Sequence, residues 1–81
     1  MERDDIQHTV EEALRRFGCN APQILPVHRL QGDLGIDSIE VVEVAALVCA
    51  ARGTPDLRID VSGVQTVGDL IARVVSRDAE V

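Results

Sequence analysis

The sequence has no tryptophan, no tyrosine, no lysine and a single aromatic residue, Phe17. Without lysine there is no Walker A phosphate loop and no Schiff-base chemistry, because both need the lysine amine. The eight basic residues are all arginine and stand against fourteen acidic ones, giving a formal net charge of −6. A non-specific nucleic-acid surface needs a basic stripe that displaces counterions from phosphates, and this chain has none. The same sign disfavours anionic membranes. The longest uninterrupted apolar run, residues 44–51, is eight residues long, against the roughly 20 that span a bilayer. The opening Met1-Glu2-Arg3-Asp4-Asp5 carries acid where a secretory signal carries positive charge, so a cytoplasmic location is expected. Only two cysteines occur, Cys19 and Cys49. They form neither a C-x-x-C pair nor half of a zinc site and read as buried free thiols.

What is present is a chain of 81 residues that is 46% hydrophobic, enough for one domain. A chain this short buries about 60% of the surface its unfolded form exposes, and a net stability of roughly 4 to 12 kcal/mol follows. Ile6, Val10, Ala13, Leu14 and Phe17 recur at helical spacing, with Gln7, Glu11, Glu12, Arg15 and Arg16 on the other face, which predicts an amphipathic first helix ended by Gly18. Pro22 and Pro26 keep the next stretch from becoming helical. A connection from about Gly18 to Asp37 is long for a small domain, and such loops are disordered or functional. Its apolar residues Ile24, Leu25, Val27, Leu30, Leu34 and Ile36 predict a loop packed across the helices, with its last part functional.

The strongest helix is predicted from Ser38 to Arg52, with Ile39, Val42, Ala45 or Ala46, and Val48 or Cys49 recurring every three to four residues. The Asp37 carboxylate caps it, and Glu40 lies where the helix dipole favours negative charge. Being apolar on more than one face, it is expected at the centre of the bundle, and Gly53-Thr54-Pro55 stops it. A short helical turn near Leu57 to Gly63 would be anchored by Ile59, Val61 and Val64. The last helix begins at Thr66, where Thr66-Val67-Gly68-Asp69 has capping-box spacing, and Val67, Leu70, Ile71, Val74 and Val75 form its apolar stripe. The fold class expected is all-α, a small four-helix bundle of three main helices and one short third helix.

Asp33, Asp37, Glu40 and Glu43 have no neighbouring His or Cys that could serve as base or nucleophile. His8 and His28 lie far apart and read as surface histidines. An EF-hand starting at Asp33 would need a carboxylate where Val44 stands and a glycine where Ser38 stands, so calcium by that motif fails and no metal is expected. What remains is Ser38, which follows the turn Gly35-Ile36-Asp37 and opens the central helix. A phosphate ester there would meet free backbone N–H groups and the positive end of the helix dipole. Taken alone, Ser38 is better read as an ordinary helix start.

The wider string Asp33-Leu34-Gly35-Ile36-Asp37-Ser38-Ile39-Glu40, then Val42-Glu43, set after one helix and a long loop and before Thr66-Val67-Gly68-Asp69-Leu70, resembles the acyl carrier proteins over nearly the whole chain. The resemblance implies that Ser38 receives 4′-phosphopantetheine from coenzyme A through a magnesium-dependent phosphopantetheinyl transferase. Asp37 would help place the metal and the hydroxyl during that transfer, and Gly35 is the turn glycine. Ile39 stands where leucine is more usual. Acyl groups would ride on the arm as thioesters between an acyltransferase or ligase, a ketosynthase and other acyl-processing enzymes. The carrier itself would catalyse nothing, and tethering lets each encounter be weak and brief. Asp33, Ile39, Glu40 and Glu43 would meet partner enzymes, the acids by steering basic patches. Val42, Ala45, Ile59, Val61 and Val64 either line an acyl cleft or serve as plain core.

Fatty-acid carriers commonly continue acidic to the end of this helix and close it with an aromatic, whereas this chain reads Cys49-Ala50-Ala51-Arg52. A secondary-metabolite, polyketide-like pathway or a specialised fatty-acid pathway is therefore expected. Peptidyl carriers tend to show Gly-Gly-His-Ser or Gly-Gly-Asp-Ser, and Gly35-Ile36-Asp37-Ser38 favours an acyl load. The alternatives are an aminoacyl, peptidyl or D-alanyl carrier, and an unmodified helical interaction module. Residues 1–81 are expected to form a single stand-alone acyl carrier domain, monomeric by virtue of its net charge.

Overall fold

A computed structural model describes residues 3–19, 21–53 and 59–79. The described residues hold three helices, α1 (Arg3–Arg16), α2 (Ser38–Ala51) and α3 (Val67–Ala79). Ile6, Val10, Ala13 and Leu14 of α1 are buried, with Phe17 packed against them. Arg15 and Arg16 occupy the last turn, where the helix dipole favours cations. Gly18, in the left-handed region at φ 93°, ends the helix by donating to the Arg15 carbonyl at 3.1 Å.

α1, rather than α2, is the central element. It packs against both α2 and α3, which barely meet each other. The expectation of a central α2 fails because only one side of that helix is covered. Its buried stripe is Val41, Val44, Ala45, Val48 and Cys49, whereas Ile39 and Val42 are 70% and 54% exposed. α3 behaves as its pattern implies, with Val67, Leu70, Ile71 and Val74 buried and Val75 packed at the edge. The Thr66 Oγ1 accepts from the Asp69 N–H at 3.0 Å. The Asp69 Oδ2 in turn accepts from the Thr66 and Gln65 N–H groups, each at 3.1 Å, closing the box with Asp in place of Glu.

The long loop is packed, as expected, through Ile24, Leu30 and Ile36. Leu25 and Val27 are the exceptions, and Val27 is 76% exposed. The reason is backbone pairing. The Pro26 carbonyl accepts from the Gly68 N–H and the His28 carbonyl from the Val67 N–H, both at 2.9 Å, and the intervening Val27 side chain turns outward. A side chain at Gly68 would put its Cβ 3.1 Å from the Pro26 carbonyl oxygen, so glycine lets α3 start this close to the loop.

The short third helix is not found among the described residues. Residues 59–61 are irregular and a turn follows at Ser62 and Gly63, where the Val64 N–H donates to the Val61 carbonyl at 3.1 Å. Gly63 and the β-branched Ile59, Val61 and Val64 disfavour a helix here. The rest of that expected element, Leu57 and Arg58, together with Thr54-Pro55 of the expected stop signal, lies outside the described residues.

Leu70 is fully buried, so Leu70→Ala is expected to cost about 2 to 5 kcal/mol in chemical denaturation, a large share of what a domain this size holds. The Asp69 carboxyl is held below its ordinary range by the N–H groups of Gln65 and then Thr66. A lowered folded-state pKa contributes stability that is complete above the unfolded value of about 3.9 and disappears as pH falls through the lowered one. Stability should therefore drop in acid below about pH 4, and Asp69→Asn should make that drop shallower in denaturation series run at several pH values.

Candidate functional site

The site is built from the end of the long loop inward. The Arg29 carbonyl accepts from the N–H groups of Asp33 and Leu34 at 3.0 and 3.1 Å, and the Leu30 carbonyl accepts from Ile36 at 2.8 Å. This winds residues 29–36 into a tight turn. The Asp33 Oδ2 accepts from the Arg29 N–H at 2.7 Å and pairs with the Arg29 Nε at 3.5 Å. These contacts, the backbone N–H first, hold the Asp33 carboxyl below its ordinary range. Gly35 leaves the turn at φ 71°, a left-handed conformation that costs an L side chain roughly 1 kcal/mol or more.

Asp37 follows in extended conformation, φ −78° and ψ 174°, and caps α2. Its Oδ1 accepts from the Glu40 N–H at 2.8 Å, while the Glu40 Oε1 accepts from the Asp37 N–H at 3.2 Å. The sequence pattern pointed to the first bond and missed the second, although Asp37-Ser38-Ile39-Glu40 has the spacing. Ser38 is the first helical residue and is exposed. Its hydroxyl therefore sits at the positive end of the α2 dipole, among backbone N–H groups that favour an anion.

A cleft of about 330 Å³ opens beside Ser38, lined by Arg29, Leu30, Gln31, Gly32, Ile36, Ser38, Val41, Val61, Val64 and Gln65. Val61 and Val64 are among the residues expected at an acyl cleft. Val42 and Ala45 lie outside this lining, the first exposed and the second buried in the core, and Ile59 packs against the core. The α2 wall is Val41, three residues after Ser38 rather than four. That one-position difference in helical phase is set by where α1 packs, and no local pattern in an all-round apolar helix reveals it. Arg29, Gln31 and Gln65 were likewise not legible as site residues, since each reaches the cleft only through folding of the loop.

Of the expected partner-facing residues, Ile39 and Glu43 are exposed, Glu40 is half-buried, and Asp33 is exposed but engaged with Arg29. The described residues lining the cleft include no carboxylate, imidazole or thiol, so nothing there can act as a general base for Ser38. Among the described residues no cluster of His, Cys, Asp and Glu has the arrangement to hold a metal ion. Both cysteines are buried and neither is in a disulfide, and burial pushes the Cys49 thiol up. No helix of the described residues is long and apolar enough to cross a membrane.

A curated relative from Saccharopolyspora erythraea, an acyl carrier protein, is 34% identical over 90 aligned residues, which cover 98% of this chain and 92% of the relative. The chain belongs to the acyl carrier protein family. Proteins of this family hold acyl groups for acyl-processing enzymes and are not enzymes themselves. No family model matches the chain, and no solved structure does.

Because Asp37 caps α2 through its side chain, Asp37→Ala is expected to cost about 1 kcal/mol in chemical denaturation. Asp37→Asn, which keeps an acceptor oxygen, should recover most of that loss.

Proposed function

We propose that Ser38 carries 4′-phosphopantetheine and that residues 1–81 form one acyl carrier domain. The observation that carries this reading is the exposed Ser38 hydroxyl at the capped start of α2, opening on a cleft with an apolar floor. The surroundings fit the group. A phosphodiester on Ser38 would lie at the helix N-terminus, and the Arg29 guanidinium lines the same cleft. In the attachment step the Ser38 Oγ attacks phosphorus in coenzyme A and a new O–P bond forms. The pyrophosphate bond breaks, the adenosine bisphosphate leaves, and the serine proton goes to a base of the phosphopantetheinyl transferase. Asp37, next to the hydroxyl, would help place the magnesium ion held with that enzyme. Once attached, the arm supplies the thiol that holds cargo as a thioester.

The chain's own residues then do three things. Ile39, 70% exposed, offers an apolar contact to partners, and Glu40 and Glu43 present acid toward basic patches on an acyltransferase or ligase, a ketosynthase and related enzymes. Leu30, Ile36, Val41, Val61 and Val64 give an acyl chain an apolar wall, within a cleft rimmed by polar groups. The end of α2, with Ala50 and Ala51 exposed and no acidic or aromatic residue after Glu43, fits a secondary-metabolite, polyketide-like or specialised fatty-acid pathway, with the carrier cytoplasmic and monomeric.

The test is intact mass before and after incubation with coenzyme A, magnesium and a promiscuous phosphopantetheinyl transferase. The parent should gain one phosphopantetheine and Ser38→Ala none. A folded parent that gains nothing with several transferases would instead be an unmodified interaction module.

A further inference from the structure

Arg73, in the second turn of α3, reaches out of its helix to a segment more than ten residues earlier. Its Nη1 donates to the Asp60 carbonyl at 2.6 Å and its Nη2 to the Ser62 carbonyl at 2.8 Å. The two acceptors flank Val61, and Val61 and Val64 both line the cleft beside Ser38. Within the segment, the Asp60 Oδ1 accepts from the Ser62 N–H at 2.9 Å, and the Val64 N–H donates to the Val61 carbonyl. These contacts shape the turn but do not fix it to the bundle. At the far end, the Gln65 carbonyl accepts from the Leu30 N–H at 2.8 Å. Ahead of that point, among the described residues, the Arg73 fork joins the turn to a helix through two directed bonds.

We infer that Arg73 is a positioning residue for the cleft: by gripping the carbonyls on either side of Val61 it holds the Val61 and Val64 wall in place, and so sets how well a chain carried on Ser38 is shielded. This rests on the proposed attachment at Ser38. The planar guanidinium spans two carbonyls at once, which a lysine ammonium, a compact donor on a flexible stem, does not do in the same geometry. Charge is therefore not enough, and Arg73→Lys loses the grip while keeping the cation. Arg73→Gln loses both.

The experiment uses the phosphopantetheinylated full chain, with parent, Arg73→Lys and Arg73→Gln each loaded with an octanoyl or an acetyl thioester. The readout is cleavage of the thioester by hydroxylamine. Octanoyl cleavage should be about three- to tenfold faster in both variants, the span that one or two solvent-screened, charge-assisted hydrogen bonds support. Acetyl cleavage, with no chain to shield, should stay at the parental rate. Amide hydrogen exchange over residues 61–65 should quicken in both variants while α1 is unchanged. Equal octanoyl rates in variants and parent overturn the inference. So does equal acceleration of both thioesters, which is what general loosening of the fold would give. If the parent takes up no phosphopantetheine, the attachment at Ser38 is what fails. Exchange over residues 61–65 then decides on Arg73 alone, and unchanged exchange overturns it.

Discussion

Three backbone hydrogen bonds hold this small domain's architecture together: Gly68 to Pro26, Val67 to His28 and Leu30 to Gln65. They stitch the long first loop to the start of α3, and the two halves of the chain meet nowhere else through a regular backbone pairing among the described residues. Much follows from them. Buried backbone groups need partners, and here the same bonds that satisfy them press Leu30 into the core and bring Gln65 to the cleft. The 29–36 turn then hangs from this junction and delivers Gly35, Asp37 and Ser38 to the head of α2. With few large side chains available, shape is set more by backbone bonding than by interlocking rings.

The acidic residues around Ser38 serve two purposes at once. Asp33 ties the turn to Arg29, and Asp37 and Glu40 close the cap on α2. On the proposed reading, the groups that shape this backbone are also those that steer basic partners. Glu43, exposed on the next turn, extends the field along the helix. In such an arrangement the position of the charge is as well defined as that of the hydroxyl it surrounds.

How much of this was legible in the sequence depends on how local each cause is. The first and last helices were, because Ile6, Val10 and Leu14, and Val67, Leu70 and Val74, each mark one stripe against a polar face. The ends of α2 were legible too, through Asp37 and Gly53. Its orientation was not, since Val41, Val42, Val44 and Leu47 are apolar in every direction and only the docking of α1 chooses which side is buried. The same blindness put Val42 in place of Val41 at the cleft. Arg73 was invisible for another reason: its guanidinium bonds to the backbone carbonyls of Asp60 and Ser62, and no side-chain pattern in sequence advertises such a partner. Ser38 stood out only through the string from Asp33 to Glu43 around it, since a hydroxyl at a capped helix start is by itself an ordinary feature.

The central place of α1 has a mechanical consequence. α2 and α3 each lean on α1 and scarcely on one another, so a change in the spacing between those two helices leaves the packing of each against α1 in place. The cleft beside Ser38 takes one wall from α2 and the rest from the loops, with no residue of α3 in its lining. A bundle in which every helix gripped every other would have to break packing to move any one of them.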